Sequence, residues 1–170
     1  MSGNLAGCGI VLSAFHPGKG VNNNLVRDNT VTGQKFSGVT GSIVVAADPP
    51  NTSAIDNVVL RNTVTYSLIP GIIVHSNTPG DLVAGTRILH NTVVSDNWVP
   101  GADSAPGKRV GIAIASEDAA APDPSIISDT LVAQNSITDE DYGIWVSHAD
   151  DTRLVHNYYT QVVKPAQWDN

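Results

Sequence analysis

Several kinds of residue are scarce in this chain, and each scarcity excludes a class of protein. The single cysteine, Cys8, cannot form an intrachain disulfide. Lysine and arginine total 9 against 16 aspartates and glutamates, a net charge of -7. We therefore expect no nucleic-acid partner, because binding to phosphates needs a basic surface. No apolar run is long enough to span a membrane, and the first residues lack the basic start and apolar segment of a signal peptide.

Residues that favour helices are also scarce. Glu117 and Glu140 are the only glutamates, and the polar positions are mostly Asn, Asp, Thr, Ser and Gly. These residue types are common in turns and on strand faces and weak in helix interiors. The composition therefore predicts strands and turns, and a length of 170 residues suits a single domain spanning 1–170.

Two short patterns recur in a fixed order. The first is a glycine followed by an apolar strand, as in GIVL, GSIVV, GIIVH, GIAIA and GIWVS, which begin at Gly9, Gly41, Gly71, Gly111 and Gly143. The second is an asparagine flanked by aliphatic residues, as in NLVRDNTV and NVVLRNTV, and it falls at Asn29, Asn62, Asn91, Asn135 and Asn157. Each repeat unit thus holds strands and a turn, with no helical period.

A strand-and-turn repeat of this length is typical of an all-β solenoid, here of about five coils with long loops. Residues two apart share a strand face, so equivalent side chains should stack every 4.8 Å or so as aliphatic ladders. For the first strand of each unit we predict the inward residues Ile10, Leu12, Val44, Ile72, Val74, Ile112, Ile114, Ile144 and Val146. The repeated asparagines should stack too, each taking a left-handed conformation and bonding the backbone and the next asparagine.

The N-x-V and G-I-x-V patterns resemble the parallel β-helix repeat of right-handed parallel β-helix proteins in the pectate-lyase-like superfamily. The resemblance covers Gly9 to about Val163. It implies a polysaccharide or glycan partner and an extracellular or cell-surface location. The same repeat occurs in lyases, hydrolases, epimerases and adhesins, so it does not choose a function. Five coils are few for this group, which predicts either a fragment of a longer β-helix or a homo-oligomer formed through an open N-terminal coil end.

Acidic residues collect just beyond the first strand of each unit. The seventh position after each glycine holds His16, Asp48, Thr78, Asp118 and Asp150. Asp118 and Asp150 fall in adjacent coils, about 5 Å apart along the backbone. A calcium site is one interpretation, and a solvated acidic loop edge is the other; the calcium ligands would be Glu117, Asp118, Asp150 and Asp151.

The same flank supplies the candidate catalytic groups. A pair of carboxylates could hydrolyse a glycosidic bond, and the candidates are Asp118, Asp150 and Asp48, with His148 nearby. Elimination would need a basic residue beside them. No Arg or Lys falls on that strand face, so the lyase pattern cannot be placed on this chain.

Three residues are candidate ligand contacts. Trp98 lies in a long loop, and Trp145 and His75 fall at outward positions of their strands. Three functions remain open. They are a non-catalytic module that presents a polar flank to a glycan or protein, a polysaccharide-active enzyme with a carboxylate groove, and a structural module that associates with itself.

Overall fold

The fold is an all-β parallel solenoid, seen in a computed structural model that describes residues 8–32, 41–67, 70–94, 108–116 and 126–169. The expected fold class is thus confirmed. The strands are all three to seven residues long, and no helix occurs in the described ranges. The strands are β1 (Ile10–Ala14), β2 (Leu25–Arg27), β3 (Thr30–Thr32), β4 (Ile43–Ala47), β5 (Ser53–Ile55), β6 (Val58–Leu60), β7 (Thr63–Thr65), β8 (Ile72–Ser76), β9 (Leu82–Ala84), β10 (Arg87–Leu89), β11 (Thr92–Val94), β12 (Val110–Ser116), β13 (Ile126–Ser128), β14 (Leu131–Ala133), β15 (Ser136–Thr138), β16 (Tyr142–Ser147), β17 (Arg153–Val155), β18 (Tyr158–Thr160) and β19 (Lys164–Asp169).

Equivalent strands of successive repeats pair in parallel and form four sheets. The six-stranded sheet has the order β1-β4-β8-β12-β16-β19, and two five-stranded sheets have the orders β17-β14-β10-β6-β2 and β18-β15-β11-β7-β3. A three-stranded sheet, β13-β9-β5, completes the set. Each strand therefore bonds to its counterparts in the units before and after it. None of the described residues belongs to a helix able to cross a membrane.

The core lies between the inner faces of these sheets. Its ladders include Val59, Ile88 and Val132, each fully buried. One predicted core residue was wrong: Val44 faces outward, and Ile43 and Val45 occupy the inner positions. Ser42 adds a residue between Gly41 and its strand, so Ile10 pairs with Ile43 rather than with Ser42. Because of this one-residue offset, counting from Gly41 assigns each side chain of β4 to the wrong face of the sheet.

The repeated glycines mark places where the six-stranded sheet runs close to its neighbour. A Cβ atom on Gly71 would lie 2.5 Å from Val93 Cγ1, and one on Gly111 would lie 2.6 Å from Ile137 Cγ2. Gly143 is similarly close to the Tyr159 ring, at 2.6 Å. A side chain at these positions would displace a core residue, which explains why glycine precedes these strands.

The asparagine ladder forms as predicted. Asn62 Nδ2 donates to Asn91 Oδ1 at 3.0 Å and to the carbonyl of Val26 at 3.0 Å, and Asn62 N also donates to Asn91 Oδ1 at 2.9 Å. The predicted left-handed backbone, however, belongs to the residue before each asparagine. These residues are Asp28, Arg61, His90, Gln134 and His156, with φ between 49° and 57°. The left-handed residue turns the chain, and the asparagine satisfies the backbone groups that the corner exposes.

Candidate functional site

The outer face of the six-stranded sheet is apolar over most of its length and polar at one edge. Val44, Ile73, Ala113 and Trp145 form one buried outer row, with at most 8% of each residue exposed. At the carboxyl end of the first strands the row gives way to polar side chains. We call Ser13, Asp48, His75 and Asn77 the Asp48 cluster, because the other three are arranged around that carboxylate.

Asp48 is held by hydrogen bonds to both carboxylate oxygens. Ser13 Oγ donates to Oδ2 at 2.8 Å, and Asn77 Nδ2 donates to Oδ1 at 3.0 Å. Ser13 is on β1, whereas Asp48 and Asn77 immediately follow β4 and β8, so three successive strands build the arrangement. The Asp48 side chain is still 37% exposed. A fixed carboxylate with accessible lone pairs is a ready acceptor for hydrogen bonds from a ligand.

His75 is the buried member of the Asp48 cluster and contacts Asn77. The residue is 2% exposed, and its Nδ1 lies 2.7 Å from Asn77 Oδ1. Its Nε2 lies 3.9 Å from Asp48 Oδ1. When Nδ1 carries the proton it donates to Asn77 Oδ1, which orients the amide so that Asn77 Nδ2 points at Asp48. Counting from the repeated glycines would place Val45 beside His75, but the Ser42 offset places Ala46 there, with Ala115 on the other side.

A tight turn in the next unit fixes the backbone of Asp48. Thr78 Oγ1 lies 2.5 Å from the Asp48 carbonyl oxygen and 2.5 Å from Asp81 Oδ2. Asp81 is 1% exposed and its Oδ1 also accepts from Thr52 N at 2.9 Å. Asp81 therefore serves the turn, since its oxygens are occupied by backbone and hydroxyl donors. Of these two carboxylates, Asp48 is the one that meets solvent.

An aromatic side chain lies next to the cluster in the register. Ala14 pairs with Ala47, so Phe15 and Asp48 occupy equivalent positions one residue beyond their strands. Phe15 is 74% exposed. Strand parity places Phe15, Asp48 and Asn77 on the same outer side, in successive units about 4.8 Å apart. Phe15, Asp48 and Asn77 thus follow paired strand ends at equivalent positions of three successive units.

The other described candidates lie away from this cluster. Asp150 and Asp151 are exposed, and His148, also exposed, has its Nδ1 2.9 Å from Ser147 Oγ. They follow β16, which is separated from β4 by β8 and β12. Three strand spacings amount to about 14 Å, so Asp48 and Asp150 do not form a close carboxylate pair.

Trp145 is outward but buried, with 8% of the residue exposed. Its indole Nε1 donates to Asp169 Oδ2 at 2.7 Å. This bond and a second from the Gln167 amide hold the pKa of the Asp169 carboxyl below its ordinary value. In this structure the ring packs on the sheet, and its proposed role in ligand contact stays a prediction.

Trp98, Glu117 and Asp118 lie outside the described residues. The proposed calcium set therefore has only Asp150 and Asp151 in the described part of the chain. Within that part, no three His, Cys, Asp or Glu side chains are grouped so as to hold a metal ion. The calcium site stays a prediction.

The sequence interpretation missed Ser13, Phe15 and Asn77. Counting seven residues from each glycine groups Asp48 with His16 and Thr78. The structure groups it with Phe15 and Asn77, because Ser42 shifts the second unit by one residue. Aligning these three units on the asparagine instead of the glycine removes the shift, because Ile10, Ile43 and Ile72 lie 19 residues before Asn29, Asn62 and Asn91, respectively.

No protein-family model, curated protein or solved structure matches this chain significantly.

Proposed function

We propose that this protein is a non-catalytic glycan-binding module of the pectate-lyase-like β-helix type, and that the Asp48 cluster with Phe15 is its binding site. The observation that carries the proposal is the fixed, 37% exposed carboxylate of Asp48, with the 74% exposed residue Phe15 at the equivalent position of the preceding unit. The repeat pattern and the stacked parallel sheets support the assignment to this superfamily. The family resemblance also supports an extracellular or cell-surface location.

A sugar ring matches this pair of groups chemically. Its hydroxyls donate to a carboxylate in charge-assisted hydrogen bonds, and its C–H face packs against an aromatic ring. Asp48 needs little ordering on binding because Ser13 and Asn77 already hold it. Preorganisation of this kind raises affinity by lowering the entropy lost on association.

The charge of the site favours a neutral glycan over an acidic one. The chain carries a net charge of -7, and no lysine or arginine belongs to the Asp48 cluster. A uronate would meet Asp48 as a like charge, which opposes its approach. We therefore propose neutral hexose units as ligands.

The proposal is non-catalytic because the described part of the site offers one solvent-facing carboxylate. Glycoside hydrolysis usually requires two carboxylates about 5–9.5 Å apart. Asp81, which contacts the same Thr78 hydroxyl as the Asp48 carbonyl, is buried and bonded to Thr52 and Thr78. Asp48 therefore acts in this proposal as a hydrogen-bond acceptor for sugar hydroxyls.

Calorimetric titration with neutral hexose oligosaccharides and with uronate oligosaccharides tests the proposal. We expect heat with a neutral oligosaccharide only, and no new products by chromatography. Asp48→Asn and Phe15→Ala should each weaken binding about tenfold or more, which corresponds to about 1.4 kcal/mol. Asp150→Asn, an exposed carboxylate elsewhere, is the matched control and should bind as the unmodified protein does. Absence of binding, or equal losses in Asp48→Asn and Asp150→Asn, would contradict the proposal.

A further inference from the structure

The sheet formed by β3, β7, β11, β15 and β18 carries rows of threonine on its outer face. Each of these strands has three residues, and the middle one points inward, as the buried Val31, Val64 and Ile137 show. The first and third residues therefore point outward. In the first four units the strands read TVT, TVT, TVV and SIT, and in the fifth unit Tyr158 ends the first row. We call the eight outward positions of the first four units the threonine face, and six of them are threonine: Thr30, Thr32, Thr63, Thr65, Thr92 and Thr138.

The pairing of the strands aligns these positions in two rows. Thr63 pairs with Thr30 on one side and with Thr92 on the other, and the third residues of the strands pair in the same way. Paired strands lie about 4.8 Å apart, and outward residues of one strand lie about 6.6 Å apart. Threonine is stiff about its first side-chain torsion, and the hydroxyls of Thr32 and Thr65 form a hydrogen bond at 2.9 Å. The threonine face is therefore a regular, ordered array of hydroxyl and methyl groups.

The chemistry of the threonine face argues against most classes of partner. None of its eight positions is charged, and none is aromatic. Protein interfaces depend on aromatic and arginine side chains at their centre, nucleic acids require basic side chains, and sugar rings pack on aromatic ones. The face is nevertheless open, because each position is at least partly exposed. An uncharged array of hydroxyl and methyl groups fits a partner that is itself a lattice of hydrogen bonds, namely ordered water.

We infer that the threonine face binds the surface of ice crystals. The two spacings of the array are close to repeat distances of hexagonal ice, so the hydroxyls of successive units can take positions of the ice lattice. Methyl groups restrict the orientations of the water beside them, which orders the water between the protein and the crystal. Ice excludes ions, which accords with the lack of charge on this face. The inference is independent of glycan binding, since the Asp48 cluster is built on the six-stranded sheet.

Growth of a single ice crystal in a solution of the protein tests the inference. The unmodified protein should stop growth over a temperature gap below the melting point, and the gap should widen with protein concentration. Thr92→Lys puts a charge at an exposed position of the threonine face and should abolish the gap. Ile126→Lys makes the same change of charge at a residue that is 50% exposed in another sheet, and it should leave the gap unchanged. Asp48→Asn should also leave the gap unchanged, which separates this surface from the proposed glycan site.

Further controls separate loss of ice binding from loss of the fold and from binding to another ordered surface. If circular dichroism shows Thr92→Lys unfolded, Thr30→Lys replaces it, because Thr30 is also exposed on this face. The absence of a gap with the unmodified protein, a gap that survives the lysine on the threonine face, or an equal loss in Ile126→Lys would overturn the inference. Sedimentation with crystalline cellulose and chitin tests the other kind of surface. Retention on either polysaccharide that Thr92→Lys abolishes, without any effect of the protein on ice, would assign the face to a crystalline glycan and overturn the inference.

Discussion

Asn91 donates from Nδ2 to Oδ1 of Asn135 at 3.0 Å, and its own Oδ1 accepts from both N and Nδ2 of Asn62. The same side chain donates to the carbonyl of Val59 at 2.9 Å. One buried amide thus connects three successive units of the solenoid. The ladder is accordingly a stabilising element of the fold as well as a sequence signature.

Asn91→Ala should strongly destabilise the protein. The residue is 1% exposed, so its loss leaves buried donors and acceptors in two neighbouring units without partners. We expect a loss of about 3 kcal/mol or more in the free energy of unfolding, measured by urea denaturation. Asn157→Ala removes fewer bonds at a partly exposed position and should cost clearly less. Equal losses of stability in Asn91→Ala and Asn157→Ala would indicate that each asparagine stabilises only the turn in which it lies, and not the neighbouring units.

Thr86→Asn should stabilise the protein by extending a second ladder. Asn24 N donates to Asn57 Oδ1 at 3.0 Å, but in the next unit Thr86 takes the equivalent position. Thr86 is fully buried and its Oγ1 has no hydrogen-bond partner among the described residues. An amide oxygen there could accept from Asn57, a gain of about 1 kcal/mol per bond. A rise in melting temperature absent from the exposed control Thr92→Asn would support this, whereas a fall would mean that the corner is too tight.

Gln134 offers a test of the left-handed corner. It is exposed, with φ of 57°, and side chains other than glycine and asparagine are disfavoured in that region. Gln134→Gly should raise the free energy of unfolding by about 0.5–1 kcal/mol, and Gln134→Val should lower it by about 1 kcal/mol. Thermal melts of the two variants provide the comparison. A lower stability for Gln134→Gly than for Gln134→Val would contradict the assignment of backbone strain to this residue.

Gly111→Ala should destabilise the protein through steric overlap. The added Cβ would lie 2.6 Å from Ile137 Cγ2 and 2.9 Å from the Gly143 carbonyl oxygen. We expect a loss of about 1–3 kcal/mol in chemical denaturation. The double variant Gly111→Ala with Ile137→Ala should lose less stability than the sum of the losses in the single variants. Truncation of Ile137 leaves a cavity that accepts the new methyl group at position 111. Strict additivity would show that the loss has another origin.

Asp169 should make stability depend on pH in the acid range. Hydrogen bonds from Trp145 and Gln167 lower the pKa of this carboxyl in the folded state. The stability that the ionised Asp169 carboxylate contributes is therefore fully present above the ordinary aspartate pKa of about 3.9. It declines as pH falls through the lower pKa that Asp169 has in the folded state. Asp169→Asn should flatten that part of the curve of melting temperature against pH. An unchanged acid limb in this variant would show that Asp169 is not responsible.

The fold was predictable because the groups that determine it are local and repeated. A glycine is needed wherever the six-stranded sheet approaches Val93 or Ile137, and an asparagine is needed at each corner, so both recur at similar spacing. The register of the second unit was not predictable from the glycine alone, since Ser42 shifts it by one residue.

The candidate site was only partly predictable, since it depends on packing between units. Asp48 and His75 were identified, but their proximity and the roles of Ser13 and Asn77 arise from the corrected register. The buried outer row had a signal in the sequence: GIIVH and GIAIA do not alternate strictly between apolar and polar residues, as expected for strands covered on both faces. Burial of Trp145 follows from the same pattern.

The direction of the asparagine ladder also gives the stack an electrical polarity. Asn62, Asn91, Asn135 and Asn157 each direct the side-chain oxygen toward the preceding unit, so these amide dipoles add along the axis. Sheets alone have small net dipoles. As in the backbone of an α-helix, aligned amides place partial negative charge at the acceptor end and partial positive charge at the donor end. A solenoid built from strands thereby acquires a macroscopic dipole, with its positive pole at Asn157.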